Sequence, residues 1–501
     1  MTASPSVARS KESSPKGGVV AWAIPVAIVL AGVALRLFRL DHQSLWYDEI
    51  FSLAASGGSW LQMHALLVED VVHPPLHYYI LHAWMSFFGV TAEQARLVSV
   101  IFGALSVGAL YLLAKELFNR RTAVIASILL AVSQIGIRYS QEARPYSMVL
   151  FLSIAASYFF LRSLRSGRAS EWWISAALMA ALIGTHYYGM FAAISLAVFG
   201  VMVRKRYPVP VVRWIGAAML SAAVLGGWLA TGVLREALRS PKMALEPASQ
   251  HWYTGLTILN EFNNGRVDGF YTAAPWWTFA VGGVLFSLPA LLALTRKKDG
   301  AGEGADTTAE TFLAVQFCLP LVLGIVAGFV VNFQAVRYIG FAIAPYFILC
   351  ARGLDRLKSP VIRAGILALA VGYSAFALRA IYSIPYKEDH RAALAHVASY
   401  AIPGDCFVIT PAEARQVPWV WSIYQPGLPP LKPTPLDAAM DPNSSCSRVW
   451  MIAVLKDNMY KLRWARTARQ RLESAYSLAS RQSFFWIDVS LYQREKTPAA
   501  R

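Results

Sequence analysis

Asp48 and Glu49 stand side by side in LRLFRLDHQSLWYDEIFSLA, residues 35–54, just beyond the first long apolar run. A membrane helix is expected to end near Leu40, which puts the pair at the start of a helix lying on the bilayer surface. Acidic groups at that depth are costly unless paired or wetted, so they are functional candidates. A carboxylate there is suited to act as general base on an acceptor hydroxyl. Successive helical residues point about 100° apart, so the two side chains cannot serve one point equally. The same pair also fits an ordinary helix N-terminus, where acids complement the dipole. Residue type does not separate these roles.

Four more polar points recur between apolar blocks. His73–Pro74–Pro75 opens one: the prolines start a helix, and the imidazole can donate to a phosphate or orient a carboxylate, or simply sit at an interface. Gln141–Glu142–Ala143–Arg144–Pro145–Tyr146 offers Arg144, whose fork matches two phosphate oxygens, although a plain ion pair with Glu142 or Asp48 is equally consistent. His186–Tyr187–Tyr188 and Arg337–Tyr338 complete the set. The loop 234–273, with His251, Trp252, Asn263, Asn264 and Arg266, is a candidate lid. The chain has no phosphate-cradling glycine loop, zinc-spaced Cys/His cluster or nucleophile elbow. Hence no nucleotide or other cofactor is implied, and a divalent metal is possible without being required by the sequence.

Apolar residues make up 56% of the 501 positions and fall in blocks of near-spanning length. Only helices satisfy their backbone in lipid when connected this way. Eleven spans are expected: 19–38, 97–115, 122–137, 145–161, 172–187, 188–203, 211–232, 274–295, 311–331, 337–352 and 361–381. The net charge of +17 lies in short basic runs between these blocks, such as Arg204–Lys205–Arg206 and Arg296–Lys297–Lys298. That is the mark of cytoplasmic loops, and it argues against nucleic acid, which needs a basic stripe on one face. With those loops inside, all five polar points fall on the outer side. Residues 75–90 are apolar enough to enter the membrane, yet a crossing there would turn every later basic loop outward, so a juxtamembrane helix is expected.

Residues 1–18 read as a polar cytoplasmic tail, 19–381 as the membrane module and 382–501 as a small outer α/β domain. In that last part 387–400 and 459–475 read as helices, the latter basic and amphipathic. CFVIT at 406–410, RVWMIAV at 448–454 and SFFWIDVSLY at 483–492 read as strands. Residues 299–310 have linker composition. Cys406 and Cys446 are free to pair in an oxidising compartment or to remain thiols.

The order LWYDEIFS, HPPLHYYILHAWMSFFG, SQEARPYSMVLFL, THYYG and RYIGFAIAPYFILCARGL resembles the bacterial branch of the protein O-mannosyltransferase-like enzymes, glycosyltransferase family 39. PYKEDHRAALAHVASYAIPGD, residues 385–405, resembles the start of that branch's outer domain. The resemblance implies an all-α polytopic membrane bundle of GT-C type with a small C-terminal periplasmic α/β domain. It also implies a polyprenyl-phosphate-linked donor of a mannose-like hexose or pentose, and inverting transfer to a hydroxyl at the periplasmic face of a bacterial inner membrane. Asp48 then falls on the acidic motif as base, with Glu49 in support. Arg144 and Arg337 would stabilise the phosphate, with His73, Tyr146, His186 and Tyr338 lining donor or substrate. Better-known relatives carry an acidic residue where this chain has His73. A flippase of lipid-linked saccharides and an envelope-polysaccharide polymerase are the competing classes; the charged points at helix ends on one side, rather than at the midplane of a repeat, favour the transferase.

Overall fold

The computed structural model describes residues 17–239, 254–265, 276–295, 308–328, 336–411, 414–455 and 459–494. Most of the expected cytoplasmic tail and linker, and His251, Trp252 and Arg266 of the expected lid, lie outside the described residues.

The order opens with α1 (Gly17–Leu37), α2 (Tyr47–Gly57), α3 (Trp60–Asp70), α4 (Leu76–Phe88) and α5 (Ala92–Leu117). α6 (Arg120–Ala131), α7 (Gln134–Ser140), α8 (Tyr146–Ser166), α9 (Ala169–Thr185) and α10 (Gly189–Met202) follow. Among the described residues seven helices are long and apolar enough to cross a membrane: α5, α8, Val211–Arg239, Trp277–Leu294, Thr308–Gly328, Val336–Asp355 and Pro360–Ser383. The chain is a multi-pass membrane protein. α8 and Val336–Asp355 form its centre, each 78% buried over the apolar window, whereas Val211–Arg239 and Pro360–Ser383 are 17% buried and face outward.

The expected eleven spans are not reached by length. Trp22–Leu37 and Gly189–Met202 are apolar but short; fourteen residues rise about 21 Å, less than a bilayer core. The span expected at 122–137 is two helices, α6 and α7, bent by 59°. Ser133 caps α7 by accepting from the Gly136 amide at 3.2 Å. The carbonyls freed at the end of α6 are taken by buried Arg36, which donates to Leu130 and Ala131 and to Ser140 Oγ at 3.0 Å. A cation at a helix C-terminus also meets the negative end of its dipole.

α4 spans only thirteen residues between Pro75 and Gly89, too few to cross a bilayer core. α2, α3 and α4 pack as a short-helix layer between the spans and the C-terminal domain. A capping box between Ser59 and Gln62 starts α3, which satisfies two otherwise unpaired amides.

β1 (Cys406–Ile409), β2 (Arg448–Val454), β3 (Ser477–Phe484) and β4 (Ile487–Gln493) form one sheet of order β1-β2-β4-β3. β1 runs parallel to β2, and the other pairs are antiparallel. The single strand expected at 483–492 is instead the turn and second arm of a hairpin, because Trp486 at φ 60° reverses the chain. No Gly, Asn or Pro marks that turn. The alternation along β2 divides two cores. Val449, Met451 and Ala453 meet Ala465, Ala468 and Leu472 of Met459–Glu473. Trp450, Ile452 and Val454 join Ile50 and Leu53 of α2 and Leu81 and Met85 of α4 in one continuous cluster. Sheet and surface helices therefore share a core.

Cys406 and Cys446 form a disulfide across 40 positions. Removing it with Cys406→Ser should lower stability by about 2–4 kcal/mol, since a loop of that size loses much unfolded-state entropy. A matching fall in the melting midpoint, reproduced in wild type by reductant, checks this.

Candidate active site

α2 directs its two acids to opposite sides. Glu49 is fully buried. Arg96 grips both its oxygens, Nε to Oε1 at 2.8 Å and Nη2 to Oε2 at 3.0 Å. Lys387 Nζ donates to Oε2 at 2.8 Å and the Ala143 amide to Oε1 at 3.0 Å. Burial alone would raise this carboxyl, but Arg96 and Lys387 outweigh it and hold it at about 2. For Lys387 burial wins, lowering the ammonium against the pull of Glu49 and Glu142. Glu49 thus ties α2 to α5, to the loop carrying Arg144 and to the neck of the outer domain.

Asp48 points the other way and keeps 22% side-chain exposure. Its Oδ2 lies 3.5 Å from Arg337 Nη1 and 3.9 Å from Arg144 Nη2. Two guanidinium groups therefore face one carboxylate.

Arg144 is held from several directions. Nη1 donates to the Asp48 carbonyl at 3.1 Å, Ser52 Oγ at 3.1 Å and Tyr78 OH at 3.2 Å. Nη2 lies 2.8 Å from His73 Nε2. A guanidinium only donates, so Nε2 accepts and the proton of His73 sits on Nδ1, which donates to Asp70 Oδ2 at 2.9 Å. Burial, then Arg144, lowers the imidazole's proton affinity, with Asp70 opposing. The ring is neutral. Asp70 and His73 meet because Val71 turns the chain at φ 56°, a conformation costing a β-branched residue about 1–3 kcal/mol. Tyr187 OH donates to the Val71 carbonyl at 3.4 Å and is itself fixed by Trp228 Nε1 at 3.0 Å.

Arg337 opens its helix and is less tied. Among the described residues it reaches, besides Asp48, only Tyr338 OH, at 3.4 Å, and lies over the rings of Trp46 and Tyr338. Its Nε, the Nε of Arg144 and the Tyr146 hydroxyl are buried without a hydrogen-bond partner among the described residues. His186 completes an aromatic wall, with ring centroids 5.4 Å from Tyr338, 5.6 Å from Tyr188 and 6.2 Å from both Tyr146 and His73. Burial, followed by His73 and the two arginines, keeps its proton affinity well below ordinary.

Seven of the residues singled out by sequence, Asp48, His73, Arg144, Tyr146, His186, Arg337 and Tyr338, thus share one site; Glu49 lies behind it. Asn263 and Asn264 lie elsewhere, bonded to Tyr346 and Tyr373. Sequence reading missed Asp70, Tyr78, Arg96 and Lys387. Arg96 was visible as a charge abutting an apolar run; Lys387 was visible only as part of the motif around it.

Residues 72–229 match the family model described as dolichyl-phosphate-mannose-protein mannosyltransferase; that interval holds His73, Arg144, Tyr146 and His186 but not Asp48 or Arg337. Among curated relatives, undecaprenyl phosphate-alpha-4-amino-4-deoxy-L-arabinose arabinosyl transferase 1 of Pseudomonas fluorescens is 25% identical over 314 residues, 60% of this chain and 54% of the relative. Transferase 2 of that species is 23% identical over 370 residues, 70% of this chain and 64% of the relative. The chain thus spans between about half and two thirds of the length of these relatives. ArnT from Cupriavidus metallidurans, solved bound to undecaprenyl phosphate, superposes with a TM-score of 0.58 at 13% identity, covering 95% of this chain and 98% of that one. The archaeal oligosaccharyltransferase AglB from Archaeoglobus fulgidus, solved with an inhibitory peptide and a dolichol-phosphate, gives 0.50 at 13% identity, covering 97% and 75%. As the ordered motifs implied, the chain has the architecture of the GT-C-type membrane glycosyltransferases, with its family-model match centred on the half of the site that Arg144 organises.

Proposed function

We propose that the chain transfers a sugar from a polyprenyl-phosphate donor to an acceptor hydroxyl at the outer face of a bacterial inner membrane, with the N-terminus cytoplasmic and the sheet domain periplasmic. The observation that carries this is Asp48 between Arg144 and Arg337, walled by aromatic rings. A sugar phosphodiester bears a negative charge that Arg337, whose Nε has no hydrogen-bond partner among the described residues, is placed to meet. The names of the relatives, which specify a dolichyl-phosphate mannose and an undecaprenyl-phosphate aminoarabinose, support this donor class.

In this reading Asp48 takes the acceptor's hydroxyl proton as the acceptor oxygen attacks the anomeric carbon. The bond from that carbon to phosphate oxygen breaks on the opposite side, inverting the centre, and its electron pair leaves with the polyprenyl phosphate. Charge grows on that phosphate, where a preorganised cation acts most strongly. Arg337, with an unpartnered Nε, is placed to receive it, while Arg144, bonded on four sides, holds Asp48. Glu49 positions α2. The chemistry draws its cationic charge from these arginines and uses no nucleotide.

The test is incorporation of labelled sugar by the purified full chain in membranes, from polyprenyl-phosphate mannose and polyprenyl-phosphate pentose donors; the labelled fraction identifies the acceptor. Incorporation from either donor, with inverted product, supports the reading. No incorporation beside movement of the labelled lipid across vesicles would replace it with a flippase. In the same assay Arg337→Met should lower turnover about 10²–10³-fold, the range for losing one such stabilising group. Arg337→Lys should recover part of it, because the charge returns without the fork.

A further inference from the structure

Asp70 has no place in the proposed chemistry, and nothing in helix stability explains it. It is the last residue of α3, where the dipole disfavours an acid, and no basic residue lies in that last turn. Its Oδ2 is nonetheless 2.9 Å from His73 Nδ1, brought there by the left-handed Val71, which Tyr187 and Trp228 hold in place. Strain kept by neighbours at one turn marks a geometry that the fold maintains.

We propose that Asp70 is a positioning residue that fixes the tautomer of His73, so that His73 Nε2 accepts from Arg144 and Arg144 stays locked beside Asp48. The chain of contacts runs Asp70 Oδ2 to His73 Nδ1, His73 Nε2 to Arg144 Nη2 at 2.8 Å, and Arg144 Nη2 to Asp48 Oδ2 at 3.9 Å. A neutral imidazole has one donor and one acceptor nitrogen, set by what the other binds. Without an acceptor at Nδ1 the proton is free to move to Nε2, where it would confront an Arg144 N–H. Arg144 then loses a partner and swings from Asp48. The role rests on the transfer reaction proposed above, but the tautomer does not, and the two are read separately.

The experiment uses the full chain in detergent micelles with Asp70→Asn, Asp70→Leu, His73→Gln and the double variant Asp70→Leu/His73→Gln. The chain has nine histidines, so ¹⁵N-histidine spectra are sparse, and the His73 signals are those missing from His73→Gln. Wild type and Asp70→Asn, which keeps an acceptor oxygen, should show a His73 protonated at Nδ1; Asp70→Leu should show mixed or Nε2-protonated imidazole. In transfer, Asp70→Leu should lower kcat about 10–100-fold with little change in donor KM, and Asp70→Asn should stay within about threefold of wild type. Gln at position 73 offers Arg144 an acceptor but has no tautomer, so Asp70→Leu should cost nothing further in that background. An unchanged His73 tautomer in Asp70→Leu, or the same loss of kcat in both backgrounds, would overturn the role of Asp70. A wild type that shows the Nδ1 tautomer but no transfer from any donor would overturn the proposed function and leave the tautomer lock standing.

Discussion

Asp48→Asn is expected to lower sugar transfer about 10²–10⁴-fold, the usual contribution of a positioned general base, while binding of undecaprenyl phosphate and the melting midpoint change little. Asn keeps the shape and can still meet the guanidiniums, but it cannot take a proton. The side chain is partly exposed and its contacts with Arg144 and Arg337 are 3.9 and 3.5 Å, so little packing is lost. Because Arg144 and Arg337 then face a neutral amide in place of a carboxylate, phosphate affinity should hold or rise. Titrating the variant with undecaprenyl phosphate and assaying transfer in parallel checks both halves. Transfer equal to wild type removes Asp48 from the role of base.

Arg96→Met should do the opposite, costing about 3–5 kcal/mol of stability, the range for breaking a buried ion pair. Arg96 is fully buried; besides both oxygens of Glu49 it serves the carbonyls of Leu40, Gln43 and Ser44. Met fills the volume and leaves those acceptors without donors. The effect has a pH signature. Glu49 titrates at about 2 when folded, below the ordinary value of about 4.3. Its contribution is therefore complete above about 4.3 and is lost as pH falls through about 2. With Arg96 gone the native carboxyl rises and acid unfolding should begin at higher pH. Melting curves against pH for wild type and variant measure both; coincident curves would show that Lys387 alone suffices.

The contrast between neighbours explains what was legible in the sequence. Asp48, His73, Arg144, His186 and Arg337 each interrupt apolar sequence at a helix end, and membrane burial makes such interruptions conspicuous. Their convergence followed from placing basic loops on one side. The separation of Asp48 from Glu49 followed from helical periodicity, but which acid faced the open side did not. That choice is made by Arg96 and Lys387, which lie 47 and 338 positions from Glu49. Asp70 was hidden for a local reason, since no residue type announces a valine at positive φ. The bend between α6 and α7 was hidden because its stabiliser, Arg36, sits on another helix. Trp486 concealed the hairpin in the same way, by turning where no turn residue stands.

The core shared by the sheet and α2 has a consequence for biosynthesis. α2 ends at Gly57 and β4 begins only at Ile487, yet Ile50 and Leu53 pack in one cluster with Ile487, Val489 and Leu491 of β4. Because β4 lies inside the sheet, between β2 and β3, the sheet cannot close until that strand has been made. Asp48 is thus synthesised early and mounted late. A nascent chain that still lacks β4 would carry Asp48 on a helix without its full core, so the surroundings of Asp48 are complete only once β4 has been made.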